Sequence, residues 1–223
     1  GRRADLVLLN DDLEVVNTWF GGELVVEDRA ITSLLDKTLC EETYSYPKAA
    51  YQTVKLPDLP DLLPRLPSRA ATLNCIRVEL PGIVTLHRQI ELSEAPESWD
   101  DVLGENDLCF LSVVERYGQN GGIGYTLLQN FGLRGGAVAS SVGHDAHNII
   151  LAGTNEADMQ LALSEIEKSQ GAVVVVKDSE VVAKVELPIA GLLSDKRATV
   201  VAKETSALKK AWESLGCTLP YMG

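Results

Sequence analysis

Residues 137–168, AVASSVGHDAHNIILAGTNEADMQLALSEIEK, hold two strand patterns, a polar turn and a helix pattern, and this order decides the predicted fold. Small and apolar residues at 137–142 and 149–152 predict two short buried strands. The helix that follows is predicted to run to about residue 168, with Thr154 or Asn155 as its cap. Its apolar face, at the i, i+3, i+4, i+7 spacing, consists of Met159, Ala162, Leu163 and Ile166.

The segments on either side extend the same alternation. Upstream, apolar runs predict strands at 75–80, 83–92 and 107–116, and a short helix at 124–131. Downstream, the sequence predicts a hairpin of strands 172–177 and 181–187, then a helix from about 195 to 216. The predicted fold class is α+β, with a mixed, mainly antiparallel sheet layered with helices.

The first part of the chain predicts a short all-β segment. A strand at 4–9 precedes a hairpin at 15–27, whose Gly21-Gly22 pair tolerates the positive φ of a tight turn. From about 28 to 48 the sequence shows no clear strand or helix pattern. Prolines lack an amide donor, and five of them between 47 and 67 predict a connector and not a packed element. We therefore predict domains at 1–46 and 71–223, joined by a Pro-rich connector at 47–70.

Charge and composition exclude several kinds of partner. The 223 residues carry a net charge of −12, which repels phosphates, so we expect neither nucleic acid nor an anionic membrane as partner. No secretory signal is visible, and the four dispersed cysteines form no CxxC pair, as in reduced cytoplasmic proteins. Because the chain starts at Gly1 and enters a strand pattern at once, we expect it to begin inside a longer polypeptide.

A polar turn between the two central strands is the first candidate site. His144, Asp145, His147 and Asn148 lie within five residues of each other. Imidazole and carboxylate groups ligate metals or polar substrates. In the alternative interpretation the turn is structural, with Asp and Asn bonding local backbone and the histidines bonding across an interface.

Two charged residues at a strand end form the second candidate. Glu115 and Arg116 end the predicted strand 107–116, after its apolar stretch CFLSVV (109–114), and precede a glycine-rich segment. Charges at such a position commonly mark a site, because the strand fixes them and the loop gives access. The alternative is a surface ion pair, which contributes little to stability.

The segment VVERYGQNGGIGYTLLQNFGLRGGAVASSVGHDAHNIILAGTNEADM (113–159) closely resembles the signature stretch of the adenine deaminase C-terminal domain, in the amidohydrolase superfamily. LPIAGLLSD (187–195) and LGCTLPYM (215–222) resemble later segments of the same family. GRRADLVLL (1–9) resembles the strand by which amidohydrolases re-enter their small β domain. The resemblance thus implies the end of that domain at 1–46 and the adenine deaminase C-terminal α+β domain at 71–223.

This resemblance implies hydrolytic deamination of adenine to hypoxanthine and ammonia, by water that a metal activates for attack at purine C6. It also implies manganese or iron held in a (β/α)₈ barrel whose His-x-His ligands have no counterpart here. The expected partners are therefore adenine, the N-terminal barrel and further copies in a homo-oligomer. The chain alone is predicted not to deaminate adenine, and no metal or certain catalytic residue is assigned to it.

We further expect the turn from His144 to Asn148, with Glu115 and Arg116, to face the mouth of the barrel, closing the purine pocket or holding a subunit interface. One alternative is a non-catalytic oligomerisation or small-molecule-binding module of another amidohydrolase. Another is an enzyme of the same superfamily that acts on a different purine or on a pyrimidine.

Overall fold

The computed structural model describes residues 1–41, 45–57, 61–79, 84–217 and 219. The chain divides into two compact units, Gly1–Tyr46 and Pro47–Gly223. The described residues form a four-stranded antiparallel sheet in the first unit and an eight-stranded mixed sheet with helices in the second. The predicted α+β class with a β segment at the start is confirmed. No described helix has both the length and the apolar character to cross a membrane.

The first unit is a meander of four strands followed by a helix. Its strands pair in chain order and are β1 (Leu6–Leu9), β2 (Val15–Phe20), β3 (Glu23–Glu27) and β4 (Ala30–Ile31). Gly21 and Gly22 have φ of +63° and +90°, so the predicted hairpin turn is confirmed. Helix α1 (Ser33–Glu41) lies where the pattern was predicted to dissolve, and that prediction is wrong. The missed signal is Thr32, whose hydroxyl accepts a hydrogen bond from the Leu35 amide.

The second unit is built on one large sheet. Its strands are β5 (Ala71–Glu79), β6 (Val84–Leu92), β7 (Leu108–Val114), β8 (Ile123–Gln129), β9 (Ala137–Ser140), β10 (Ile149–Gly153), β11 (Ala172–Lys177) and β12 (Glu180–Glu186). They are ordered β12-β11-β9-β10-β7-β8-β5-β6. Only the β5–β8 pair is parallel among the strand pairs of the described residues.

Helices cover both faces of this sheet. After a 3₁₀ turn (Lys48–Tyr51) come α2 (Trp99–Asn106), α3 (Glu156–Ser169) and α4 (Ala198–Ser214). The predicted apolar face of α3 is fully buried in one core cluster, and Asn155 caps the helix by accepting from the Asp158 amide at 2.8 Å. Helix α4 packs Leu208, Ala211 and Trp212 into a second cluster on the opposite face. The helix predicted from about residue 195 begins at Ala198.

Strand β8 corrects the prediction of a short helix at 124–131. Its seven residues pair with β7 without a register shift. Leu127 joins the cluster on one face of the sheet and Leu128 the cluster on the other. Gly124 and Tyr125 are exposed and the adjacent Leu127 and Leu128 are both buried, so this short sequence lacks the apolar–polar alternation that distinguishes a half-buried strand from a helix.

The Pro-rich connector is packed, contrary to prediction. Val54 and Leu62 are buried in the core, and Leu62 has no exposed surface. The Ser112 hydroxyl donates to the Leu62 carbonyl at 2.5 Å, and the Gln170 side chain bonds both the amide and the carbonyl of Val54. Proline removes an amide donor but leaves the apolar side chains between prolines free to pack. Pro60 and residues 80 and 83 of the predicted strands lie outside the described residues.

An ion-pair chain joins α3, β12 and α4 along one edge of the sheet. Its members are Lys168, Glu165, Lys184, Glu186, Lys196 and Glu204, with successive N–O distances of 2.7, 3.2, 3.0, 3.2 and 2.8 Å. Positive and negative side chains alternate along this series of ion pairs, so each inner member contacts two partners. Such a network stabilises more than isolated surface pairs do.

Candidate functional site

Three loops that are distant in sequence meet at the Arg116 guanidinium. Arg116 follows β7 and is only 1% exposed. Its Nε donates to the His147 carbonyl at 2.5 Å, its Nη2 to the Ala190 carbonyl at 3.1 Å, and its Nη1 makes a weaker contact of 3.4 Å with the Thr53 hydroxyl. Arg116 therefore joins the connector, the polar turn and the 187–195 segment.

The groups that contact the buried guanidinium of Arg116 are uncharged. Its hydrogen-bond partners are two carbonyls and a hydroxyl, and its guanidinium carbon lies 4.9 Å from the centre of the Tyr117 ring. Burial lowers the pKa of Arg116, and Tyr117 opposes that shift. A surface ion pair is therefore the wrong description of this residue. A buried cation costs several kcal/mol to desolvate, so its contacts have to be well formed.

The Glu115 carboxylate forms hydrogen bonds with the glycine-rich loop that follows β7. Its carboxylate accepts hydrogen bonds from the backbone amides of Tyr117, Gln119 at 3.1 Å and Gly121 at 3.2 Å. Desolvation raises the pKa of Glu115, but these amides together hold it below its ordinary value. Glu115 therefore remains ionised and fixes the glycine-rich loop that follows it.

The backbone of the polar turn has an uncommon conformation that hydrogen bonds hold in place. Asp145 and His147 adopt left-handed φ of +68° and +51°. The His147 amide donates to the Gly143 carbonyl at 2.6 Å, and the Tyr117 hydroxyl donates to the Ala146 carbonyl at 2.8 Å. A Cβ on Gly143 would lie 2.5 Å from the Asn148 carbonyl oxygen, so the turn requires glycine there.

The side chains of this turn fall into two pairs. His144 and Asp145 are 88% and 91% exposed, with Nδ1 and Oδ1 3.2 Å apart. His147 Nδ1 and Asn148 Oδ1 are buried and have no hydrogen-bond partner within the described ranges. Native structures pair nearly all their buried polar groups, so these two atoms have hydrogen-bonding capacity left for water or for another polar group.

The 187–195 segment supplies a second strained backbone. Ala190 and Gly191 have φ of +57° and +71°, and the Gly191 carbonyl accepts from the Ser141 hydroxyl at 2.7 Å. A Cβ on Gly191 would lie 2.5 Å from Arg116 Nη1, so glycine lets the guanidinium approach. Left-handed backbone at non-glycine residues is costly and clusters at functional sites. Ala190, Asp145 and His147 form such a cluster around one arginine.

The same residues do not fit a hydrolytic metal. No three His, Cys, Asp or Glu side chains come together in a metal-binding arrangement in the described part of the chain. His144 is in contact with Asp145, and His147 directs its carbonyl to Arg116.

The structure brings some of the predicted site residues together. Arg116 and His147 meet through a backbone carbonyl, His144 and Asp145 project from the same turn, and Glu115 acts on a different loop. Sequence reasoning missed Tyr117, Thr53 and Ala190. The Ala190-Gly191 pair was visible as a turn signal, whereas nothing in the connector singled out Thr53.

Residues 82–222 match the family model described as adenine deaminase C-terminal domain, and the chain belongs to this family. It is 57% identical to adenine deaminase 2 of Bradyrhizobium sp. (strain ORS 278) and 59% identical to an adenine deaminase of Chelativorans sp. (strain BNC1), each over 224 aligned residues. An adenine deaminase of Desulforamulus reducens is 38% identical over 99% of the chain. The chain spans 37% of the length of these three relatives.

Proposed function

We propose that the chain is the C-terminal part of a hydrolase that converts adenine and water to hypoxanthine and ammonia. Membership of the family and the names of relatives 55–59% identical over the whole chain support this proposal. Manganese or iron, held by ligands on a barrel outside these 223 residues, would activate the attacking water. Such an ion would supply a bound water of lowered pKa, and no group of three His, Cys, Asp or Glu side chains in the described part of the chain could hold it.

The proposed assignment of residues 1–46 to the end of a small β domain has support in the first unit. Four consecutive apolar residues of β1, Leu6, Val7, Leu8 and Leu9, are 44–58% exposed. An apolar strand of this kind is normally covered by another layer. In the proposed enzyme, strands from the preceding polypeptide cover it.

The site around Arg116 has a positioning role in this proposal. Arg116 and Tyr117 hold the backbone of the polar turn, which leaves the imidazole of His144 and the carboxylate of Asp145 directed outward. A rigid turn with exposed polar groups and two incompletely bonded buried atoms is suited to meet another surface. We place that surface at the barrel mouth, where the turn closes the purine pocket.

Kinetics of the full-length protein test this role. Replacing both His144 and His147 with alanine should raise KM for adenine or lower kcat, because the turn loses the exposed imidazole of His144 and the partly bonded imidazole of His147. The double variant Asp178→Ala, Ser179→Ala, in the β11–β12 turn, is the matched control and should leave both constants unchanged. Unchanged kinetics in the histidine variant would remove the turn from the proposed site.

Substrate class is tested with the same protein. Adenine should be deaminated with a higher kcat/KM than other aminopurines and cytosine. A stronger preference for one of those would assign the protein to another amidohydrolase activity.

A non-catalytic module is the second candidate function, supported by the two buried polar atoms of the turn without partners in the described ranges. Titrating the 223-residue chain with adenine, and separately with Mn²⁺, distinguishes the two. Binding of either by the chain alone would favour the module.

A cytoplasmic location is part of the proposal. Cys75, Cys109 and Cys217 are buried free thiols, and burial raises the pKa of Cys217 to about 12. Such thiols stay protonated and reduced.

A further inference from the structure

An outer strand of the large sheet is unusually open to pairing. Strand β6 pairs with β5 through nine consecutive residues without a register shift. Its other edge has no strand partner in the described ranges. Residues 84–89 are all exposed, including Val84 at 58% and Leu86 at 38%. The strand is therefore long, regular and partly apolar.

The opposite outer strand is protected by comparison. β12 pairs with β11 through a register shift and carries Lys184. Lys184 belongs to the ion-pair chain that runs along that edge. Bulges, lysines and prolines are the features by which proteins prevent their sheet edges from pairing. The β6 sequence VTLHRQIEL has no lysine or proline, and its ladder has no bulge.

The β6 sequence is complementary to itself in one antiparallel register. A two-fold axis through Gln89 places His87 opposite Glu91 of a second copy, twice, on one face of the sheet. On the other face it places Leu86 opposite Leu92. Centring the pair on Arg88 would instead set two arginines opposite each other, which destabilises a strand pair.

The side chains are free to make these contacts. His87 Nε2 lies 3.0 Å from Asn74 Oδ1, an acceptor, and an imidazole with a proton on each ring nitrogen donates to Asn74 through Nε2 and to Glu91 of the second copy through Nδ1. Glu91 accepts from the Thr72 hydroxyl through Oε2 only, which leaves Oε1. Directly opposed residues of an antiparallel pair lie about 4.5–5.5 Å apart at Cβ, within reach of an imidazole and a carboxylate.

We propose that the β6 edge is a homodimer interface, in which two copies pair β6 with β6 around Gln89 and join their sheets into one. This gives the predicted homo-oligomer its surface. The inference concerns assembly and does not depend on the proposed reaction, so either can fail without the other.

Light scattering and sedimentation of the 223-residue chain test the interface. We expect twice the monomer mass of 24.1 kDa. His87→Glu places like charges opposite each other at two positions and should raise the dimer dissociation constant about tenfold. Adding Glu91→Lys restores opposite charges and should bring the constant back to within about threefold of the parent value. Val182→Glu, a similar charge change on exposed β12, should have no effect.

Cross-linking tests the register. Gln89→Cys lies on the two-fold axis and should give an intermolecular disulfide under mild oxidation. Thr85→Cys, on the same face of the same strand, should not, and the parent chain measures any contribution of the exposed Cys40. A monomeric chain overturns the proposal. So does a dimer that the charge changes leave unaffected, or equal cross-linking at positions 85 and 89. A chain that is monomeric while the full-length protein is dimeric would place the interface on the preceding polypeptide and also overturn it.

Discussion

Replacing Arg116 with methionine keeps most of the side-chain volume and removes all five N–H donors. Two well-formed bonds are lost, to the His147 and Ala190 carbonyls, together with the weaker contact to Thr53. Hydrogen bonds from charged donors are worth about 1.5–3 kcal/mol each, so the gross loss is about 3–6 kcal/mol. Methionine avoids the cost of burying a guanidinium, which offsets part of that loss. We expect the free energy of unfolding to fall by about 2–4 kcal/mol.

Urea unfolding of the parent and variant chains measures this change. Arg69→Met, at an exposed position of the same unit, is the control and should alter stability by less than about 0.5 kcal/mol. Hydrogen exchange adds a local measurement, because the His147 amide bonds the Gly143 carbonyl and the Ala190 amide bonds the Ala50 carbonyl. Both amides should exchange faster in the Arg116 variant relative to core amides. A stability loss no greater than the control's, with unchanged exchange at both amides, would refute the role assigned to Arg116.

Three further predictions concern the second unit. Hydrogen bonds from Lys168 and Lys184 are the main cause of the lowered pKa values of Glu165 and Glu186, respectively. The two carboxylates therefore stabilise the fold above the ordinary glutamate pKa of about 4.3, and this stabilisation is lost as pH falls through the lowered values. Urea midpoints should therefore drop on acidification below about pH 4.3, and Glu165→Gln should reduce that drop; equal slopes would contradict the assignment. Leu62→Ala should cost about 2–5 kcal/mol in urea unfolding, because the side chain is fully buried in the core, and a loss below about 1 kcal/mol would mean that the connector is not packed. Gly143→Ala should cost about 1–3 kcal/mol, since its Cβ would lie 2.5 Å from a carbonyl oxygen; a neutral effect would show that the turn can open.

Local sequence patterns predicted much of the fold. Helix α3 was predictable because a single apolar face, an Asn cap and acidic residues in the first turn all agree. Strand β8 was not, because its neighbours Leu127 and Leu128 are buried on opposite faces, which breaks the alternation by which a strand is recognised. Helix α1 was missed because residues 33–40, whose burial the structure describes, form no continuous buried apolar face, leaving Thr32 as a weak signal.

The candidate site was predictable only in outline. Polar residue types singled out Arg116 and the turn that contains His147. What joins them is a backbone carbonyl, a group that every residue carries, so no side-chain pattern reveals the contact. Thr53 reaches the site because Val54 and its neighbours pack into the core, and that packing is a tertiary effect that the proline count obscured.

Ammonia release from adenine, measured with equal molar amounts of the 223-residue chain and of the full-length protein, tests the central claim most directly. Under the proposed function, we expect stoichiometric hypoxanthine and ammonia from the full-length protein and none from the chain, because the proposed metal ligands lie outside the 223 residues. Turnover of adenine by the purified chain, or a full-length protein that does not act on adenine, would contradict it.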